Sequence, residues 1–158
     1  MALLGNIIWF LFGGWALFLI YLLGAVFFFP MFIPLFRLAQ YAAWPFGRTV
    51  LSQRELSRYR QTKEIDDQVS AMTTGLRATS SIMNLLWMLT FGWLLAIAHF
   101  FGSIINLMFF WLIVTIPNIG GHWKMMGVAL MPFNKVIVPA TVAQEVKDTN
   151  ARKKLNLQ

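Results

Sequence analysis

The sequence predicts an all-α integral membrane protein made of two tandem repeats, each a short transmembrane helical hairpin followed by an interfacial amphipathic helix. Three observations predict this fold. The chain of 158 residues is 58% hydrophobic, against roughly 45–50% in ordinary soluble domains. No charged residue occurs before Arg37 or between Arg77 and Lys124, so two long apolar blocks are separated by a polar linker. The two blocks also share a series of residues in the same order.

The two apolar blocks differ in how clearly they predict a hairpin. Residues 3–36 are too long for one upright span at about 1.5 Å per residue and short for two. The repeat favours a hairpin that turns near Gly24, and a shorter middle in this block favours one tilted helix. Residues 82–117 are expected to form two short helices that turn near His99 to Ser103. Helices of this length suit either a full crossing or a re-entrant hairpin.

An internal repeat runs through the chain, and shared order among so many residue types indicates a duplicated unit. The alignment offset grows by nine residues between its two parts, so the first copy is shorter in its middle. Asn6 and Asn84 begin equivalent stretches, either as helix N-caps or as hydrogen-bonding groups between helices. The aligned stretches are 6–15 with 84–93, and 30–50 with 117–137.

Each repeat ends in a Pro-Phe pair followed by a residue that tolerates positive φ. Pro45 and Gly47 in the first repeat match Pro132 and Asn134 in the second. Glycine and asparagine are the residue types most tolerant of positive φ, and proline presets the first corner of a turn. The sequence therefore predicts the same backbone turn after both repeats.

A segment with one basic residue, an aromatic side chain and small residues follows each apolar block. Segments 31–44 and 118–131 are predicted to be interfacial helices on the cytoplasmic surface, and 31–44 also suits a buried span. Cations can snorkel to the headgroups from such helices, and tryptophans anchor there. The predicted interfacial anchors are Arg37, Trp44, Trp123 and Lys124.

Basic residues are concentrated in the linker and the C-terminal tail, and the positive-inside rule places both on the cytoplasmic side. An even number of crossings therefore lies between them, which makes the protein multi-pass. Ser52 and Glu55 have the spacing of a capping box, which marks the start of the linker helix. The predicted segments are a first membrane repeat (1–50), a polar linker helix (51–77), a second membrane repeat (78–138) and a basic tail helix (139–158).

The apolar blocks contain no group of residues suited to catalysis. All six acidic residues lie in the linker or the tail, so the blocks lack a proton-relaying carboxylate and an acid–base pair. Two histidines without any cysteine are too few for a catalytic zinc site, and no catalytic motif occurs. We therefore expect no enzyme activity, no cofactor and no metal site. A net charge of +7 that flanks membrane segments favours anionic lipid headgroups over nucleic acid as a partner.

The repeated pattern resembles that of a known family. N-x-x-W, Gly-Trp, a later proline and the motif W-P-F-G-R at 44–48 resemble the YccF-domain family of bacterial inner-membrane proteins. The second copy departs from the last motif and contains M-P-F-N-K at 131–135. The resemblance covers nearly the whole chain apart from the linker and the tail. It implies a location in the bacterial inner membrane, and it implies no activity because the function of the family is unknown.

Two functions suit these features. The first is a homo-oligomeric pore or channel of unknown selectivity, whose uncharged lining would comprise His99, Asn106, Thr115 and Asn118. The second is a non-conducting structural or accessory protein that scaffolds lipid or a partner complex. Self-association is expected for the pore, and a membrane-protein partner is expected for the accessory protein.

Overall fold

The computed structural model of the chain describes residues 2–63 and 70–155, and of 70–77 it describes the backbone alone. Helices make up most of this length. The chain divides into two compact units, each built from two separate stretches of sequence. The hairpin unit comprises Met1–Phe46 and Asn84–Pro132, and the strand unit comprises Gly47–Met83 and Phe133–Gln158.

The first hairpin is a long helix followed by a shorter helix that returns along it. A π-helical turn interrupts the long helix, and Gly13 inside that turn has a φ of 133°, which glycine adopts without strain. The returning helix packs along the second part of the long helix. In chain order the elements are α1 (Ala2–Trp9), the π turn (Phe10–Gly14), α2 (Trp15–Phe27), a 3₁₀ turn (Phe29–Met31) and α3 (Phe32–Ala43).

The second hairpin has the same order of elements as the first. It follows strand β1 (Arg48–Ser52) and helix α4 (Gln53–Thr62) in the chain. Its returning helix packs along the second part of its long helix. In chain order the elements are α5 (Ser70–Trp87), a π turn (Met88–Gly92), α6 (Trp93–Met108), a 3₁₀ turn (Ile113–Thr115) and α7 (Ile116–Leu130).

The second hairpin is longer than the first at its closed end. Helix α6 has 16 residues against 13 in α2, and α7 has 15 against 12 in α3. The connection between long and returning helix is residues 109–115 in the second hairpin and 28–31 in the first, again a difference of three residues. These three differences of three residues account for the nine-residue change in the alignment offset.

The turns expected near Gly24 and near His99 to Ser103 are wrong, because α2 and α6 continue through these positions. Gly24 and Gly102 permit close packing instead. A Cβ atom on Gly24 would lie 2.7 Å from Cη2 of Trp87, and one on Gly102 would lie 2.5 Å from Cε1 of His122. Glycine is used here for the close approach of a ring to a helix backbone.

The segments predicted to be interfacial helices, 31–44 and 118–131, form the returning arms α3 and α7. Each arm buries one face against its own hairpin, and Leu35 of α3 and Met125 of α7 are fully buried. Each hairpin therefore pairs a long helix with its returning arm. This arrangement differs from the predicted one, a short hairpin followed by a separate interfacial helix, because the turns lie at 28–31 and 109–115.

Two helical stretches in the described residues are long and apolar enough to cross a membrane, Ala2–Phe27 and Ala78–Met108. Their 26 and 31 residues correspond to about 39 and about 46 Å of helix, which exceeds the ~30 Å hydrocarbon core of a bilayer. Less than a third of the most apolar window of each helix is buried within the chain. Most of their apolar surface therefore faces outward.

The strand unit contains a two-stranded antiparallel sheet that the sequence analysis missed. Strand β1 pairs with β2 (Lys135–Pro139), and Val50 lies opposite Ile137. Helix α8 (Ala140–Lys154) packs against α4, and a small apolar core forms from Leu51, Ala143 and Val146. The pairing joins the segments that follow each hairpin, so the structure groups the chain differently from the four consecutive segments 1–50, 51–77, 78–138 and 139–158.

Helix α4 begins with the capping box that the sequence predicts, and that prediction is confirmed. Glu55 N donates to Ser52 Oγ at 3.1 Å, and Ser52 N donates to Glu55 Oε2 at 2.8 Å. Burial alone would raise the pKa of the Glu55 carboxyl, but the hydrogen bonds from Ser52 hold this pKa below its usual value. Residues 64–69 of the predicted linker helix lie outside the described residues.

The residues after the two Pro-Phe pairs have the positive φ that their types tolerate. Gly47 has a φ of 80° and Asn134 has a φ of 65°. The Gly47 carbonyl accepts a hydrogen bond from Ala140 N, and the Asn134 carbonyl accepts one from Gln53 N, both at 3.0 Å. Each turn therefore leads directly into a strand and is tied to the start of the helix that follows the partner strand.

Candidate functional site

Each hairpin is closed by a tryptophan that donates a hydrogen bond to its returning helix. Trp9 Nε1 donates to the Ala42 carbonyl at 2.7 Å, and Trp87 Nε1 donates to the Ala129 carbonyl at 2.8 Å. Both indoles are buried, so the bond satisfies a donor that would otherwise be unpaired. Because Trp9 aligns with Trp87 and Ala42 with Ala129, the two hairpins make the same bond at matching positions.

Asn6 holds the backbone at the end of the first returning arm. Its Nδ2 donates to the Phe46 carbonyl at 3.0 Å, and Phe46 N donates to its Oδ1 at 2.8 Å. Asn6 lies inside α1 and Asn84 lies inside α5, so the interpretation of these residues as helix N-caps is wrong. The paired bonds fix the chain just before the positive-φ turn at Gly47.

A chain of three hydrogen-bonding rings lies at the centre of the hairpin unit. The Tyr21 hydroxyl lies 3.2 Å from His99 Nε2, and His99 Nδ1 lies 3.0 Å from His122 Nδ1. Tyr21 and His99 are fully buried, and His122 is 9% exposed. The Trp9 ring lies against His122, with a centroid distance of 4.5 Å. Helices α2, α6 and α7 therefore meet at a buried chain of three hydrogen-bonded polar rings.

The polar chain lies largely in the second hairpin. Helices α2 and α6 run without interruption from the aligned tryptophans Trp15 and Trp93. Tyr21 and His99 therefore occupy equivalent positions in the sequences of the two repeats. In the alignment of the returning helices, Leu35 is the residue equivalent to His122. Tyr21 and His122 are not among the site residues predicted from the sequence. The alignment of 30–50 with 117–137 already pairs a titratable residue with a leucine, and this difference is the signal for the site.

The four predicted pore-lining residues lie in the second hairpin of a single chain. His99 belongs to the polar chain, and Asn106 Nδ2 donates to the Gly102 carbonyl on its own helix at 2.8 Å. Thr115 Oγ1 lies 2.9 Å from the carbonyls of Phe109 and Leu112 at the hairpin tip. Asn118 is 2% exposed, and its Oδ1 is one of the buried polar atoms without a hydrogen-bond donor in the described part of the chain.

The predicted interfacial anchors lie on or next to the returning arms. Arg37 is exposed on α3, and Trp44 is half-buried directly after that helix. Trp123 is exposed on α7, as is Lys124. Lys124 Nζ donates to the Pro45 carbonyl at 3.3 Å and lies 5.2 Å from the centroid of the Tyr41 ring. The lysine thus reaches back toward the turn that Asn6 also holds, as a snorkelling cation would.

The described residues contain no group of three or more His, Cys, Asp or Glu side chains that could hold a metal ion. The two imidazoles face each other through their Nδ1 atoms at 3.0 Å and bond directly. Rings in this arrangement can share or transfer a proton. The chemistry that the site supports is therefore hydrogen bonding and proton exchange.

Comparison with protein families agrees with the sequence pattern. The model of the YccF family, described as an inner membrane component domain, matches residues 4–48 and 82–135, which is more than half of the chain. No curated relative and no solved structure matches. The match covers both hairpins and leaves out most of the linker and tail, which confirms the resemblance seen in the sequence. With two helices able to cross a membrane, the chain is a membrane protein and belongs to the YccF family of inner membrane component domains.

Proposed function

We propose that this protein is a non-conducting structural or accessory component of the inner membrane, which scaffolds lipid or a partner complex. The placement of the polar side chains carries the proposal. His99 and Thr115 make their hydrogen bonds inside one chain, and Asn118 is buried there. Polar groups enclosed in this way stabilise the packing of neighbouring helices. A pore shared between copies needs such groups on the outer surface instead.

The outer surface of the long helices supports a scaffold that contacts lipid. Large apolar side chains are exposed along both helices, as expected for contact with acyl chains. They include Leu4, Leu11, Leu23, Leu89, Phe101 and Ile105. The exposed positions of the returning arms differ, because they include Arg37 on α3 and Gly120 and Lys124 on α7. The small and polar side chains among the exposed positions of these arms, which also include the apolar Ile33 and Trp123, suit close contact with another membrane protein or a second copy of the chain.

The proposal includes a topology. In this topology both hairpins enter and leave the membrane on the cytoplasmic side, and the linker and the C-terminal tail are cytoplasmic. The basic residues of the linker and tail support this orientation. The three cations in the last turn of α8, Arg152, Lys153 and Lys154, suit contact with anionic headgroups. No catalytic step is part of the proposed role.

Electrical recording in planar bilayers tests the proposal against a pore. We expect the purified full chain to give no current above that of lipid alone, over a range of salts and voltages. Discrete conductance in the wild type that changes in both His99→Ala and Asn106→Ala would contradict the proposal and support the pore. Gly120→Ala is a matched control, because nothing lies within 4 Å of a Cβ atom at that exposed position.

The oligomeric state gives an independent test. Native mass spectrometry of the protein in mild detergent is expected to give a monomer, a dimer or a fixed complex with another membrane protein. A closed ring of at least four copies would favour the pore, because only a ring can enclose a path between chains of this size.

A further inference from the structure

Helix packing alone does not require the two histidines to be in contact. The chain contains two histidines, and they lie in direct contact at the centre of the hairpin unit. We propose that His99 and His122 form a buried site that binds one proton between them, with Tyr21 as the third member of the hydrogen-bonded chain. This inference does not depend on whether the protein conducts ions.

The geometry allows two directions of hydrogen bonding in the neutral state. In the first, Tyr21 donates to His99 Nε2, and His99 Nδ1 donates to His122 Nδ1. In the second, His122 Nδ1 donates to His99 Nδ1, and His99 Nε2 donates to the Tyr21 oxygen. Each ring carries one N–H in both directions, so the number of protons is the same. Observed distances of 3.2 and 3.0 Å permit either direction.

One added proton fits into this chain without loss of a hydrogen bond. Starting from the first direction, the proton binds to His99 Nε2, and His99 becomes an imidazolium with two N–H donors. Its Nε2–H then donates to the Tyr21 oxygen, and its Nδ1–H still donates to His122 Nδ1. The positive charge is shared through the Nδ1–H–Nδ1 bond. A second proton would place two N–H groups face to face at 3.0 Å, so the pair binds one proton and not two.

The first hairpin provides an internal comparison for this site. Leu35 takes the place of His122 there, so the fold can fill the equivalent position with an apolar side chain. Burying the two imidazoles in the second hairpin has a desolvation cost, because the rings give up hydrogen bonds to water. A further acceptor, Asn118 Oδ1, lies without a donor on the same face of α7, one turn before His122. The second hairpin therefore contains a polar site that its helical frame does not require.

The groups around the pair define how a charge would be accommodated. Helix α2 contributes Tyr21, which bonds to His99. Elsewhere in the hairpin unit, Lys124 on α7 lies 5.2 Å from the ring centroid of the buried Tyr41 on α3, and its Nζ is bonded to the Pro45 carbonyl. Helices α1, α2, α3, α6 and α7 contain no acidic residue. The Trp9 ring, 4.5 Å from the His122 ring, supplies a π face. A bound proton would therefore be stabilised by a ring and a phenol oxygen, and both belong to the first hairpin.

Nuclear magnetic resonance of the full chain in lipid nanodiscs, with ¹⁵N-labelled histidine, tests the proposal. The spectrum contains signals from only two imidazoles, so one variant, His122→Leu, is enough to assign them. Leucine is the residue at the equivalent position of the first hairpin. We expect a ¹⁵N–¹⁵N coupling across the hydrogen bond, absent in His122→Leu. On titration from about pH 8 to about pH 3, both wild-type rings should shift together with uptake of one proton per chain.

Three results would overturn the proposal: uptake of two protons in separate steps, no uptake over that range, or no coupling between the rings. Tyr21→Phe gives a second test, because loss of the phenol oxygen removes one acceptor of the charged state. We expect proton uptake in Tyr21→Phe to require a more acidic pH than in the wild type. If His122→Leu does not fold, the wild-type coupling and proton count still decide the outcome.

Discussion

The two hairpins have the same order and packing of helices, and they differ in the side chains buried between those helices. Both have a long helix with a π turn and a tryptophan bonded to the returning helix. Both have a glycine beneath the indole, because a Cβ atom on Gly14 would lie 2.5 Å from Trp9 Cδ1 and one on Gly92 would lie 2.9 Å from Trp87 Cδ1. The first hairpin has Leu35 where the second has His122. Shared features are those that the fold needs, and the unshared ones are candidates for function.

The largest expected effect tests the shared frame. Trp87→Ala removes a fully buried indole and leaves the Ala129 carbonyl without its partner. We expect a loss of about 3–5 kcal/mol in the free energy of unfolding, measured by denaturant titration in detergent micelles. Trp9→Ala should lose a similar amount, because it makes the same bond. A loss below about 1 kcal/mol in either variant would show that the two hairpins are not closed in the same way.

The next effect separates glycines in close contact with a ring from an exposed helix glycine. Gly102→Ala would place a Cβ atom 2.5 Å from His122 Cε1, and Gly24→Ala would place one 2.7 Å from Trp87 Cη2. We expect each to cost about 1–3 kcal/mol through overpacking, and Gly102→Ala alone to disturb the histidine resonances. Gly120→Ala is the control, and we expect it to be neutral or to stabilise α7 by up to about 1 kcal/mol. Equal behaviour of all three variants would contradict the packing role.

A third comparison asks whether the polar chain is needed for folding. His122→Leu leaves His99 Nδ1 buried without a partner, which should cost about 1–3 kcal/mol of unfolding free energy. A triple variant, Tyr21→Phe with His99→Leu and His122→Leu, removes all three hydrogen-bonding side chains of the site at once. We expect this triple variant to recover most of the loss. A triple variant less stable than His122→Leu would mean that the fold itself depends on the polar chain.

The two positive-φ turns sharpen the comparison further. Gly47→Ala forces a Cβ atom into a φ of 80°, which should cost about 1–2 kcal/mol of unfolding free energy. Asn134→Ala should cost less, since asparagine already tolerates its φ of 65° with a Cβ atom in place. Asn134→Gly is the control, expected to change the free energy by only a few tenths of a kcal/mol. A larger loss in Asn134→Ala than in Gly47→Ala would contradict this order.

The smallest effect concerns the tip of the second hairpin. Thr115→Val removes the hydroxyl that bonds the carbonyls of Phe109 and Leu112. We expect a loss of about 0.5–1.5 kcal/mol, measured by the same titration. Thr115→Ser keeps the hydroxyl and should lose less. Equal losses in both variants would show that the methyl group, and not the hydrogen bond, stabilises the tip.

Much of the frame could be predicted from the sequence because its signals are local. Charge distribution indicated a membrane protein, and Ser52 with Glu55 indicated the start of α4. The turns predicted near Gly24 and near His99 to Ser103, a range that includes Gly102, were wrong for a physical reason: glycine suits both a chain reversal and a close helix contact. Only the partner, Trp87 or His122, distinguishes these uses, and that partner lies at least 20 residues away.

The site was partly predictable. His99 is an unusual residue for an apolar block, and the sequence singled it out. Its partners could not be read from spacing, since Tyr21 is 78 residues away and His122 is 23 residues away. The strands were missed for the same reason. A five-residue segment such as β1 has no strand signal stronger than its neighbours, and its pairing is with a segment after the second hairpin.

The sheet also sets an order for the assembly of the protein. Strand β1 follows the first hairpin, and its partner β2 follows the second, so about 80 residues separate them. At synthesis rates of roughly 5–20 residues per second, β1 waits about 4–16 s for its partner. An unpaired strand edge is open to incorrect pairing during that interval. Closure of the sheet therefore occurs only after both hairpins have been made.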